Sequence, residues 1–286
     1  MTRLHRAVEK AEREGLLTWT QPADPGVRAA AVEQLTEPTP PVPDVHPTHD
    51  DDADGFDAPV HAQLQLDPVL VAAMAPGSAA AEQFRLLRTR IEGREQGRRV
   101  QTLIVTSPRI GDGKTTTCAN LALTMAQEFQ QKVVLVEADL RRPTLAAQFG
   151  VPPEPGLIDV LVGAATLDEA VAVVPGHHLW LLPAGAAVAR SSELLSSSMM
   201  QRVIASLRGR FHRIVMDTPP VALADTLVLA RLADGVLVVV RAGVTPRPAV
   251  ERALAGVDRD RLLGLVLNEV DDTADEYAYA ARSSGE

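Results

Sequence analysis

Residues 100–139 read VQTLIVTSPRIGDGKTTTCANLALTMAQEFQQKVVLVEAD: an apolar strand, a glycine-containing turn ending in Gly113-Lys114-Thr115, a helix, and a second apolar strand that ends in acids. A strand that passes through such a turn into a helix aims the first N–H groups of the helix into a concave loop, which suits a polyphosphate. In that setting Gly111, Asp112, Gly113, Lys114, Thr115 and Thr116 are expected to bind a nucleotide. Lys114 would neutralise its β and γ oxygens, and the Thr115 hydroxyl would hold Mg²⁺. The chain has only three lysines, Lys10, Lys114 and Lys132, so a lysine in this loop is not background composition.

The rest of the chain continues the alternation. Strands are expected at 101–106, 132–137, 179–182, 213–217, 235–240 and 262–267, and helices at 79–92, 114–130, 157–162, 192–208, 223–232 and 247–257. Runs such as VVLVE, RIVMD and GVLVVV are continuously apolar, as strands covered on both faces are. The expected fold class is therefore α/β, a P-loop NTPase with a doubly wound, mostly parallel sheet and helices on both faces. Apolar residues make up 46% of the chain and aromatics only 3%, so its core must be aliphatic. Ligands of such a sheet gather at the carboxyl ends of the strands.

Two further segments place acids there. In Val133-Val134-Leu135-Val136-Glu137-Ala138-Asp139, Glu137 and Asp139 stand two apart at a strand end, so in extended geometry both would point to the same side. Carboxylates so placed can hold a metal-bound water or accept a proton from an attacking hydroxyl; the bland alternative is a helix-capping acid. In Arg213-Ile214-Val215-Met216-Asp217-Thr218-Pro219-Pro220, an apolar strand ends in an aspartate that organises a metal shell in the Walker B arrangement. The expected catalytic set is Lys114, Glu137, Asp139 and Asp217, with Thr115, Asp139 and Asp217 as the metal set. Asp225 follows near the same edge, with helix capping as its bland reading. Asn268, closing the last strand, is a candidate adenine reader.

Outside this core, residues 1–20 are expected to form an amphipathic helix, since Leu4, Ala7, Val8 and Ala11 recur near helical spacing. Residues 21–60 hold eight prolines and the run Asp50-Asp51-Asp52, and read as a disordered linker rather than a metal site around His46 and His49. Residues 61–270 form the folded domain, and 271–286 an acidic tail that contains both tyrosines of the chain, Tyr277 and Tyr279. The net charge of −9 argues against nonspecific nucleic-acid binding. A single cysteine, Cys118, permits no internal disulfide. No apolar run reaches the roughly 20 residues that span a bilayer, so the chain is expected in the cytoplasm.

Taken together, the loop PRIGDGKT, the segment EADLRRP and the segment MDTPPV, in this order and spacing, resemble the bacterial tyrosine autokinases (BY-kinases) of capsule and exopolysaccharide synthesis. The resemblance spans roughly residues 64–270. It implies ATP and Mg²⁺ at Lys114 and Thr115, metal organisation and hydroxyl activation at Glu137 and Asp139, and the Walker B role at Asp217. Two departures stand out: Glu137 occupies a position where the family usually has aspartate, and Pro108 replaces the first glycine of the loop. Arg109 stands where MinD/ParA-type ATPases carry a lysine. Glu82-Gln83-Phe84-Arg85-Leu86-Leu87-Arg88 is similar to the family's ring-building E-x-x-R-x-x-R helix, which implies a homo-oligomer held through Glu82, Arg85 and Arg88. Tyr277 and Tyr279 become the implied phosphoacceptors. The implied partner is a transmembrane polysaccharide co-polymerase or chain-length regulator that recruits the chain to the inner face of the membrane. A MinD/ParA-like ATPase switch and a noncatalytic nucleotide-binding scaffold of the export complex remain the alternatives.

Overall fold

A computed structural model describes residues 65–95, 99–128, 131–188 and 191–270. The expected leader helix, linker and tail, with Tyr277 and Tyr279, lie outside the described residues. Seven strands form one sheet: β1 (Thr102–Thr106), β2 (Val133–Glu137), β3 (Ala172–Val174), β4 (Leu179–Leu182), β5 (Arg213–Asp217), β6 (Gly235–Arg241) and β7 (Leu262–Asn268). Their spatial order is β3-β4-β2-β5-β1-β6-β7. Every neighbouring pair is parallel except β3, which runs antiparallel to β4.

Aliphatic alternation along the strands fills two separate cores. Ile104, Val134, Val136, Ile214, Met216, Val236 and Val238 face one side of the sheet. Leu103, Val105, Val133, Leu135, Val215, Leu237 and Val239 face the other. Continuous apolar strands are thus two interleaved period-2 patterns, each buried by its own layer of helices.

The second side is covered by α3 (Lys114–Ala126), which follows the phosphate loop. Its sequence KTTTCANLALTMA has one charge, at its first residue, and every residue from Thr117 to Ala126 is buried. A helix apolar all round must be covered on its outer face too. That cover comes from α1 (Val71–Met74) and α2 (Ala79–Arg94). Asn120 clips the layers together: its Oδ1 accepts from the Ala72 N–H at 2.9 Å, and its amide group donates to the carbonyls of Val69 and Thr116. Cys118 is fully buried within this layer.

On the first side lie α5 (Leu157–Val162), α6 (Leu167–Ala170), α7 (Ser191–Leu195), α8 (Ser198–Arg210), α9 (Ala224–Leu232) and α10 (Arg247–Ala255). The helix expected over 192–208 is in fact two. Ser197 breaks it, adopting extended backbone and accepting from the Met200 N–H as the cap of α8. A short α4 (Leu145–Phe149) follows β2.

Central β1 sits between β5 and β6, so the chain reverses direction in strand order there and the loop after β1 opens at the switch point. Register brings the acids to it. Val105 of β1 pairs with Asp217 of β5, and Glu137 of β2 pairs with Asp217 from the other side.

Candidate functional site

The loop from Pro108 to Thr115 turns on two glycines in left-handed backbone, Gly111 at φ +88° and Gly113 at φ +91°. A side chain at either would be strained, and at Gly113 it would also collide: a Cβ there would lie 2.0 Å from Asn268 Nδ2. Gly113 is also the cap residue of α3 and offers no side chain to its first N–H groups, which leaves them for a ligand.

Asp112 does not face that ligand space with its carboxylate. One oxygen accepts from the Arg109 N–H at 2.8 Å and the other from the Thr245 hydroxyl at 2.6 Å, and the residue is 2% exposed. Its contribution to a nucleotide is therefore the shape of the loop. Thr245, which accepts in turn from the Arg241 N–H, ties the loop to the end of β6. Nothing in the sequence singled out Thr245, whose role depends on a contact 133 residues away. Asn268 ties the loop from β7, donating its amide to the Asp112 carbonyl at 3.1 Å.

Above the loop, four side chains form one cluster. Lys114 Nζ lies 3.1 Å from Asp139 Oδ2 and 3.7 Å from Asp217 Oδ1, and donates to Thr115 Oγ1 at 3.0 Å. Thr115 Oγ1 donates to Asp217 Oδ2 at 2.8 Å. Burial pulls the Lys114 ammonium down, but the Asp217 and Asp139 charges outweigh it and leave Lys114 held in its protonated form. At Asp217 burial is the stronger influence: it pushes the carboxyl up to about 7 against the opposing Lys114 charge and the Thr115 hydrogen bond.

Asp217 Oδ1 is buried without a hydrogen-bond partner. A buried acceptor left open in this way beside a hydroxyl fits a cation. Among the described residues no three His, Cys, Asp or Glu side chains gather into a metal cage. The donors present, the Thr115 hydroxyl and the Asp217 and Asp139 carboxylates, are hard oxygens and few. That fits Mg²⁺, which keeps several waters and takes phosphate oxygens rather than an all-protein shell.

Glu137 and Asp139 do not act on one group. Asp139 bonds Lys114. Glu137, fully buried, accepts from the N–H groups of Thr144 and Leu145 through one oxygen and from the Ala184 N–H at 3.2 Å through the other. The two acids part because β2 ends at Glu137 and the chain enters a turn at Asp139, whose carbonyl accepts from the Arg142 N–H at 3.2 Å. Asp225 is buried as well and is met by Arg141 Nε at 3.0 Å, Ser191 Oγ at 2.5 Å and the Ser192 hydroxyl. Of the two acids, Asp225 belongs to the first turn of α9.

The charged face of α2 is occupied from within the chain. Arg85 binds Glu82 and the Pro76 carbonyl, while Arg88 donates to the Thr124 carbonyl of α3 at 3.1 Å and lies 3.6 Å from Glu92.

An AAA domain family model matches residues 100–259. The tyrosine-protein kinase YwqD of Bacillus subtilis (strain 168) is 34% identical over 202 residues, which is 70% of this chain and 85% of that protein. The succinoglycan biosynthesis transport protein ExoP of Rhizobium meliloti (strain 1021) is 32% identical over 203 residues, 69% of this chain but only 26% of ExoP. Among solved structures, the kinase domain of the Escherichia coli tyrosine kinase ETK superposes with a TM-score of 0.68 at 27% identity, covering 75% of this chain and 85% of that one.

Proposed function

This chain belongs to the bacterial tyrosine-protein kinase family, and from that premise we propose that it is an ATP- and Mg²⁺-dependent protein-tyrosine autokinase of exopolysaccharide or capsule synthesis, with Tyr277 and Tyr279 as acceptors. The observation that carries the reading is the cluster of Lys114, Thr115, Asp139 and Asp217 at the mouth of the loop that leads into α3.

In the structure Lys114 rests on two carboxylates. Phosphate oxygens would draw its ammonium off Asp139, so that nucleotide entry both neutralises the β and γ phosphates and frees a carboxylate at the reacting face. A bound Mg²⁺ would supply charge neutralisation on the transferring phosphoryl group, with Thr115 and Asp217 to hold it. Asp139 then accepts the proton of the tyrosine hydroxyl as its oxygen bonds to the γ phosphorus and the bond to the ADP oxygen breaks. Asn268, whose amide group is committed to Asp112, has its carbonyl left to accept from the adenine amino group. Catalysis is positioning and charge, with no covalent enzyme intermediate.

No helix among the described residues is long and apolar enough to cross a membrane. A membrane partner is supported by one of the relatives. ExoP, whose name assigns it to succinoglycan transport, extends well beyond the matched part. We take the partner to be a co-polymerase that brings the chain to the inner face of the membrane.

Intact-mass spectrometry after incubation with ATP and Mg²⁺, with and without the cytoplasmic segment of that partner, tests the proposal. Phosphate adducts that map to Tyr277 and Tyr279 and vanish in Lys114→Met are expected. ATP hydrolysis without any adduct would replace the kinase with an ATPase switch.

A further inference from the structure

Glu137 sits in the acid pair that a phosphotransfer reading would assign to metal or substrate, yet its surroundings differ from those of Asp139. Both of its oxygens are engaged, and all three donors are backbone N–H groups of other segments. Thr144 and Leu145 open α4, whose cap residue Thr144 makes no side-chain capping bond of its own. Ala184 leaves the end of β4. One carboxylate therefore closes the turn 138–143 into a ring and fastens it to the neighbouring strand.

The same turn is held elsewhere along its length. The Ala138 N–H donates to the Asp217 carbonyl at 2.8 Å, and the Leu140 carbonyl accepts from the Val188 N–H at 3.0 Å. Arg141 Nε is shared between Ser191 at 2.8 Å and Asp225 at 3.0 Å. With both neighbours of Asp139 fixed, one of its oxygens accepts from the Arg142 N–H of the same turn at 3.3 Å and the other meets Lys114 Nζ at 3.1 Å.

We propose that Glu137 is a positioning residue: it acts through the 138–143 turn to hold Asp139 against Lys114, and it touches neither metal nor tyrosine. The proposal rests on the kinase reading only for the identity of the reaction; the geometry it describes would serve any phosphoryl transfer at this site. The length of the side chain is part of the device. Aspartate would withdraw the carboxylate by about 1.5 Å, one C–C bond, and strand three N–H groups. Glutamine keeps the length and one oxygen, which can still accept from Thr144 and Leu145.

Shape and charge thus make opposite predictions. If Glu137 positions, Glu137→Gln should keep ATP turnover within about tenfold, while Glu137→Asp loses roughly 100-fold in kcat, the scale of a 1 Å misplacement, with ATP affinity nearly unchanged. An acid that binds metal or takes the tyrosine proton would reverse that order, since aspartate keeps the charge and glutamine does not. Equal, wild-type turnover in both variants would also overturn the proposal. Hydrogen exchange of the unaltered protein gives a reading that no folding defect can obscure. The Thr144, Leu145 and Ala184 amides should be protected, and should stay protected when ATP and Mg²⁺ are added. Loss of protection on adding them would mean that Glu137 leaves these amides for the metal, and the proposal would fail. None of these readouts needs phosphotyrosine, so an absent kinase activity and a misassigned Glu137 give different results.

Discussion

At the scale of single residues, the site is built at a cost to the fold. Asp217 is 1% exposed, and burial raises its carboxyl from 3.8 to about 7. Its unfolded-state pKa is therefore the lower of the two, so the native state binds the proton more tightly. Below about pH 4 Asp217 is protonated in both states and carries no penalty; as pH rises through 7 the ionised form must be buried and stability falls. Asp217→Asn removes that ionisation. Without nucleotide and metal, the variant should be more stable than the unaltered protein at pH 8, by about 1–4 kcal/mol, and the gap should close towards pH 4. Thermal unfolding at several pH values reads this directly; a variant less stable at pH 8 would mean that the Lys114 pairing outweighs burial. The same variant should lose phosphoryl transfer far more than nucleotide binding, the trade expected where a stabilising change falls in a functional site. Gly113→Ala has no such compensation. Its φ of +91° and the Asn268 amide leave no room for a Cβ, so nucleotide affinity in an equilibrium titration should collapse.

At the scale of elements, α2 offers a separation that its sequence alone did not. Glu82 and Arg85 are bonded to each other and their side chains are 47% and 35% exposed, whereas Arg88 reaches inward to the Thr124 carbonyl of α3. Replacing Glu82 and Arg85 with alanine should change folding stability by no more than about 1 kcal/mol, because an exposed pair contributes little. Arg88→Ala should cost about 1–3 kcal/mol, because it strands a helix carbonyl beneath the layer. If the face also builds a ring, the double variant should lower the assembled mass in light scattering while the melting temperature holds; an unchanged mass distribution removes oligomerisation from its role. The contrast between the residues shows what the sequence made legible. Charges at helical spacing announced the face, but only the packing of α2 on α3 sorted them into rim and clamp. The strands were readable because each is an aliphatic run between breakers. The three-residue β3 and the helices of four or five residues were not, since they are shorter than any period that would mark them. Lys114, Thr115, Asp139 and Asp217 follow from local patterns at strand ends. Thr245, Arg141 and the Ala184 partner of Glu137 escaped because their hydrogen bonds join segments far apart in sequence; Thr144 and Leu145 lie only seven and eight residues from Glu137, but no local pattern marks the turn that brings their N–H groups back to it.

At the scale of the whole molecule, the sheet gathers its chemistry at one edge, and β7 ends there too, with Asn268 bonded to the phosphate loop. The chain beyond Val270 therefore starts beside the nucleotide site. Seven extended residues reach at most about 25 Å, a chain length that would allow Tyr277 to meet this site. The segment carries Asp271, Asp272, Asp275 and Glu276 in a chain of net charge −9. Each phosphate would add about −1.5 to −2 charges, so the phosphorylated segment should be driven from bound nucleotide and from acidic neighbours. If copies of the chain assemble, as proposed for the α2 face, phosphorylated protein should accordingly show a smaller assembled mass than unphosphorylated protein at low ionic strength. The difference should shrink as salt is raised, because exposed charges are screened beyond about 10 Å at 0.1 M. Tyr277→Phe combined with Tyr279→Phe should bind ATP normally, acquire no phosphotyrosine and remain assembled at every salt concentration. Light scattering of both proteins, before and after ATP, Mg²⁺ and the partner's cytoplasmic segment, separates the possibilities. Equal dissociation of the two on ATP addition would show that nucleotide turnover, and not tail charge, governs assembly.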